Sequence, residues 1–322
     1  MTERRTWARI GLATLALVFS ACSEDAPATN DGGPSPVTDG GGTDVATTSD
    51  ATAPGDSGSP KPCPGAKPDA TNTGVPPGTK LTKVTKDVVV TTDGTTIDAQ
   101  DIEGFLTIKA SHVKVTRTIV RGKATAATTA IVRIDSGTDI TLEDVEVVAA
   151  VPSVDVDGVW GSNFVARRLH VHGGVDGMKL GDGSRVECSY VHDLAYFASD
   201  PNQGGGPTHN DAIQILSGKS IAIVGNNLLA TKNDNAAIQI TQDFGAVSDV
   251  HVERNWADGG GCTFNFSHKG QASLGDLHTS NNRFGRSSFF DCPILKSTKT
   301  TLDSQLDVWD DDGKPVPIQT HD

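Results

Sequence analysis

"IAIVGNNLLATKNDNAAIQI", Ile221 to Ile240, packs a short alternating apolar strand, a Gly-Asn step, a second short strand, a polar loop and a third strand into one stretch. The next stretches repeat it. "VHVERNWADGG" (250–260) is followed by "CTFNF" (262–266), and "LHTSNNRFGR" (277–286) comes after. Upstream lie "HVKVTRTIVRG", "DITLEDVEVVA", "NFVARRLHVHG" and "SRVECSYVHDL". With the polar step as marker, Arg117, Asp144, Arg168, Cys188, Asn226, Asn255 and Asn281 are spaced by 27, 24, 20, 38, 29 and 26 residues. Second strands fall between the markers: "TIDAQ", "AIVRI", "DGVWG", "DGMKL", "DAIQI", "AAIQI" and "CTFNF".

Strands this short, rich in Val, Ile and Thr and with no helical periodicity between them, predict an all-β chain. A period near 25 residues predicts a solenoid, because one coil cannot bury its own apolar face and must stack on the next. The repeat leads to a single-domain column of about eight or nine coils, its rungs about 4.8 Å apart. Asn226, Asn255 and Asn281 are expected to stack as an asparagine ladder at one turn, where Asn tolerates left-handed backbone.

Over about 85–295 these repeats resemble the right-handed parallel β-helix of the pectin lyase-like superfamily. The resemblance implies that fold and a polysaccharide lyase-like, carbohydrate-active role, with a non-catalytic polysaccharide-binding or adhesion protein, or a glycoside hydrolase, as the alternatives. Its members include lyases, hydrolases, epimerases and non-catalytic adhesins, so fold alone does not choose among them. The chain departs from two of the family's patterns. It has neither the Arg-Pro-type pattern of pectate lyases nor the paired Asp and Gly-His-Gly motifs of polygalacturonases.

The ends read differently. Arg4, Arg5 and Arg9 precede an apolar run, Ile10 to Phe19, too short to span a bilayer and of signal-peptide character. "FSAC" resembles a bacterial lipobox, with Phe19 where Leu is usual. The resemblance makes 1–21 a lipoprotein signal peptide and Cys22 the lipidated first residue. Residues 22–60 hold almost no large apolar side chain and read as a disordered tether with a reach of roughly 35 Å. The β-helix domain is then 61–322, with an N-terminal cap and a C-terminal tail. The expected location is the cell surface or outer membrane, attached through the lipid alone.

Of 27 basic and 40 acidic residues, the first 60 positions hold three and eight, which leaves 24 against 32 in the domain. This acidic balance argues against nucleic acid as a partner. Polysaccharide is the expected partner, and a monomer the expected state. Four cysteines follow Cys22. Cys262 and Cys292, about one coil apart, are candidates for a rung-to-rung disulfide, and Cys188 reads as a small buried residue of the turn ladder.

Aligning the second strands by coil stacks Trp160, Lys179, Gln214, Gln239 and Asn265 on one outer face. Asp157, Asp176 and Asp211 precede the strands, and His172, His192 and Asp193 stand at the far rim. The long interval after Cys188 places an insertion, Ala195 to Thr208, beside this column, where inserted loops tend to serve binding. "PTHNDAIQIL" (207–216) returns that loop to the sheet. Lys179, His209 and Asp211 are the candidate catalytic residues, Lys179 or His209 as a lyase base and Asp211 as a carboxyl group of a hydrolase. Trp160, His192, Tyr196, Asn210, Gln214, Gln239 and Asn265 are candidates for sugar contact, through aromatic faces and hydroxyl-bonding amides. Asp176 and Asp193, with Asp211, are candidate Ca²⁺ ligands. The same residues also read blandly, the amides as an ordinary ladder and Asp176 and Asp211 as turn caps. The histidines lack zinc spacing, so no transition metal is expected.

Overall fold

The computed structural model describes residues 65–231 and 233–321. Cys22, the signal segment, the tether and Cys63 lie outside them. Twenty-nine short strands form three parallel sheets of ten, ten and nine strands, and the only helix among the described residues is one 3₁₀ turn, Pro201–Gln203. Each coil contributes one strand to each sheet in rotation. The fold is a right-handed parallel β-helix, the hand that parallel crossovers take.

One central coil shows the path. Asp211–Ile215 lies in the first sheet, Gly218–Val224 in the second and Asn227–Leu229 in the third. The inward face of each sheet is one continuous apolar column. In the first sheet Leu106, Val132, Val159, Met178, Ile213, Ile238, Phe264 and Ile294 stand in register. In the third, Ile102, Val120, Val147, Val171, Val191, Leu228, Ala257 and Phe284 do the same. Nearly all are fully buried. Period-two alternation makes this possible, since every second side chain points inward.

The corner between the second and third sheets is a single left-handed residue. Arg117, Asp144, Arg168, Cys188, Gly225, Arg254 and Asn281 all have φ between 46° and 65° there. The residue after the corner points inward and carries the ladder. Asn226 Nδ2 donates to Asn255 Oδ1 at 3.0 Å, and Asn255 Nδ2 donates to Asn282 Oδ1 at 3.0 Å. Each amide oxygen also accepts the backbone N–H of the asparagine one rung earlier, at 2.9 Å. The asparagine ladder is therefore Asn226, Asn255 and Asn282. Asn281 is the corner residue itself, because an Asn-Asn pair offers the same side chain to both positions.

Three further readings are corrected. "TIDAQ" runs through a second-sheet strand (Thr96–Asp98) and its corner, Ala99, and Leu106–Lys109 is the first-sheet strand of the next coil. The segment after Phe290 continues the helix, with Ile294–Ser297, Leu302–Gln305, Val308–Trp309 and Ile318–His321 pairing across all three sheets. Cys188 occupies the corner as expected, but it is disulfide-bonded. Cys262 and Cys292 form the rung-to-rung disulfide, with Cα atoms 4.7 Å apart.

Candidate functional site

The outer face of the first sheet carries one side chain per rung. Trp160, Lys179, Gln214, Gln239 and Asn265 pair in that order. Lys179, Gln214, Gln239 and Asn265 lie on the floor of a cleft of about 950 Å³. The inserted loop supplies one wall through Asp200, Asn202 and Gln203, and Asp243, Phe244 and Lys269 line it elsewhere. Trp160 borders an adjoining pocket of about 420 Å³ that shares Lys179, Gln214 and Phe244. Phe244 is 80% exposed between the two. Sequence reading missed it, although an aromatic in the short loop after a column strand was the available signal.

A second column runs beside the first. Asp157 Oδ1 accepts the backbone N–H of Asp176 at 2.9 Å, and Asp176 Oδ1 accepts that of Asp211 at 2.8 Å. Asp157 and Asp176 thus each cap the following coil, whereas the asparagines at the other corner cap the preceding one. Gly158 and Gly177 follow the first two aspartates. A Cβ at Gly158 would sit 2.3 Å from Gly177 O, and one at Gly177 2.5 Å from Ala212 O, so the coils close here only on glycine.

Lys179 Nζ lies between these carboxylates, 2.7 Å from Asp157 Oδ2 and 3.0 Å from Asp176 Oδ2. It also stands 4.9 Å from the Trp160 ring centroid, and Trp160 Nε1 donates to Asp157 Oδ2 at 2.8 Å. Burial works against the lysine's charge, but the Asp176 and Asp157 carboxylates outweigh it and raise its pKa. Burial, followed by the charge on Asp157, pushes Asp176 up to about 7 against the pull of Lys179. Burial and then Asp176 push Asp211 well above the usual carboxylate range. Asp211 is fully buried, and its oxygens accept from Gln214 Nε2 at 2.9 Å and Asn235 Nδ2 at 3.0 Å.

This geometry removes two of the three catalytic candidates. A general base must hold a free electron pair. Lys179 is held as an ammonium group, and Asp211 is sealed beneath the floor. Only His209 is exposed in the cleft. Among the sugar-contact candidates, Asn210 is buried and donates to Ala195 O at 2.9 Å, so it anchors the base of the inserted loop. Tyr196 is exposed but is not among the cleft-lining residues. Gln239 is buried and accepts from Asn235 Nδ2 at 2.9 Å. Asn265 Oδ1 accepts no hydrogen bond from the described residues.

His192 and Asp193 belong to another face. His192 is in the third sheet, and Asp193 Oδ2 lies 2.9 Å from its Nδ1. Asp193 is 84% exposed, whereas both oxygens of Asp176 are engaged within the aspartate column. The proposed calcium ligands therefore do not share a site, and the oxygens of Asp176 and Asp211 are already engaged by protein donors. His192 instead stacks with His170 and His172. Burial, followed by the neighbouring His172, pushes His170 down to about 4.

No family model matches the chain, and no curated protein matches it. Among solved structures, the crystal structure of the Dettilon tailspike protein is similar at a TM-score of 0.43 and 12% identity. The match covers 71% of this chain and 53% of that one, so the chain spans about half that protein's length.

Proposed function

We propose that this chain is a polysaccharide-binding β-helix whose ligand lies along the first-sheet cleft. The observation that carries the reading is the row Lys179, Gln214, Gln239 and Asn265, one polar side chain per rung along the cleft floor. Rungs repeat about every 4.8 Å. A glycan is the polymer that offers hydroxyls along its whole length, and stacked amides donate to and accept from them. Phe244 and Trp160 offer faces for the C–H side of a sugar ring.

Charge narrows the ligand. Asp155, Asp157, Asp176, Asp200 and Asp243 line the cleft. Among the described residues its lysines are already paired, Lys179 with Asp157 and Asp176, and Lys269 with Asp243 at 3.5 Å. A polyuronate would meet carboxylates without a free lysine among the described residues, so a neutral or amino-bearing glycan is the better ligand. A lyase of the pectin lyase-like type is the second reading, and the exposed His209 in the cleft is what favours it. Placement at the cell surface through a lipid on Cys22 belongs to the same proposal and rests on the leader's composition.

The test incubates residues 61–322 with neutral, amino-bearing and uronate polysaccharides, and follows binding, reducing ends and unsaturated-uronate absorbance together. Binding without either product supports the proposal. Absorbance that disappears in His209→Ala establishes the lyase. Absence of binding and of product across the panel overturns both.

A further inference from the structure

The third sheet carries a cluster with no part in the cleft. Glu146, His170 and Tyr190 form one register column, and His172 and His192 pair in the next. In a strand, residues i and i+2 share a face, so "HVH" (170–172) and "YVH" (190–192) put three imidazoles on one outer patch with Glu146 one rung earlier. His170 Nε2 lies 2.7 Å from His192 Nε2, and His172 Nε2 lies 3.3 Å from Glu146 Oε1. The donor atoms of Glu146, His170 and His172 all lie within 4.8 Å of one another.

We propose that His170, His172, His192 and Glu146 bind one divalent transition-metal ion of the zinc class. Ligand atoms about 2.05 Å from a tetrahedral ion stand roughly 3.3 Å from each other. Glu146, His170 and His172 already present donor atoms within 4.8 Å of one another, and the proposal requires His192 Nε2, now 2.7 Å from His170 Nε2, to move in towards the other two. Three imidazoles and one carboxylate suit zinc, whereas Ca²⁺ and Mg²⁺ require mainly oxygen.

Two features outside the ligands point the same way. Asp193 holds His192 Nδ1 at 2.9 Å, which leaves Nε2 facing the cluster. Carboxylates of this kind orient metal-bound histidines. The N-terminal segment also runs over the patch. Gly74 N donates to Arg168 O at 2.8 Å, and Asn227 Nδ2 donates to Pro68 O at 2.8 Å. A Cβ at Gly74 would come 2.9 Å from His170 Cβ and 3.6 Å from Glu146 Cβ, so the cover closes there only on glycine. A four-ligand site under such a cover fastens adjacent rungs and serves as a structural ion. Sequence reading missed it because zinc spacings are tabulated along one chain segment, while these ligands come from three successive rungs.

The experiment uses the untagged full-length chain, stripped with chelator and titrated with Zn²⁺ by calorimetry, with metal content measured after desalting. The expected result is one tightly held ion per chain and a raised unfolding temperature. The double substitution His172→Ala and His192→Ala abolishes it. The control pair His251→Ala and His278→Ala, which removes the other stacked histidines of the described surface, leaves it intact. Asp193→Asn, at an exposed position that folding tolerates, weakens binding about 10-fold or more. No retained zinc, or retention that follows His251 and His278 instead, overturns the proposal. So does an unchanged affinity in Asp193→Asn.

Discussion

Lys179 is fixed by its neighbours more than by any ligand. Its ammonium lies between two carboxylates that are each nearly buried. Lys179→Met leaves both without their cation, and removing one partner of a buried pair costs about 3–5 kcal/mol. The expected loss at pH 7.5, read by urea unfolding, falls near the lower end because the lysine is partly exposed, and it shrinks at pH 5. Asp176 explains the pH dependence. Its folded pKa of about 7 lies above the ordinary aspartate value of 3.8, so between those values the folded chain holds a proton that the unfolded chain has released. That contribution is complete below about pH 4 and is lost as pH rises towards 7. Asp176→Asn removes it, so the advantage of wild type over this variant narrows as pH rises from 4.5 to 7. A constant difference across that window contradicts the assignment. The sequence showed these residues as one outward column and one aspartate column, because strand register follows from the repeat. It did not show that the columns lock each other, which depends on how far Lys179 reaches across a rung.

Each corner is built from two adjacent residues with different tasks. The first adopts left-handed backbone and the second points inward to bond its counterparts. Asn255 sits mid-ladder and is fully buried. Asn282→Ala leaves buried donors and acceptors without partners, at a cost of about 1–3 kcal/mol for each group, whereas Asn281→Gly keeps the left-handed corner and stays within about 1 kcal/mol of wild type. Chemical denaturation of the two variants reads out the register directly, and equal losses refute it. A repeat of about 25 residues was legible because each coil contains the same apolar alternation. The one-residue offset at Asn281 was not, since the corner accepts Arg, Asp, Cys, Gly and Asn alike. The inserted loop was legible as an excess of length. Its side chains were assigned less well, since Asn210 turned inward while Asp200 and Asn202 reached the cleft.

At the scale of the molecule, the column ends are where a solenoid is vulnerable. The last strands of all three sheets come from Leu302–His321, and they cover the rung built from Phe284 and Ile294. Deleting residues 302–322 bares sheet edges and apolar core, and the expected outcome is self-association visible by light scattering. A monodisperse truncated chain contradicts the capping role. The sequence read this segment as a capping strand and tail because its apolar periodicity is thin, and the pairing runs through all three sheets because backbone pairing with the preceding rung requires no apolar pattern of its own. The cleft was only half legible for a related reason, because its floor follows from the repeat while its walls depend on loop geometry. The most direct test of the account is binding of the untagged chain to an array of neutral, amino-bearing and acidic glycans, beside the variants Gln214→Ala and Phe244→Ala. The account predicts saturable binding that prefers neutral or amino-bearing glycans and weakens about tenfold in each variant, a change of about 1.4 kcal/mol. An array with no binding, or binding that ignores both substitutions, contradicts it.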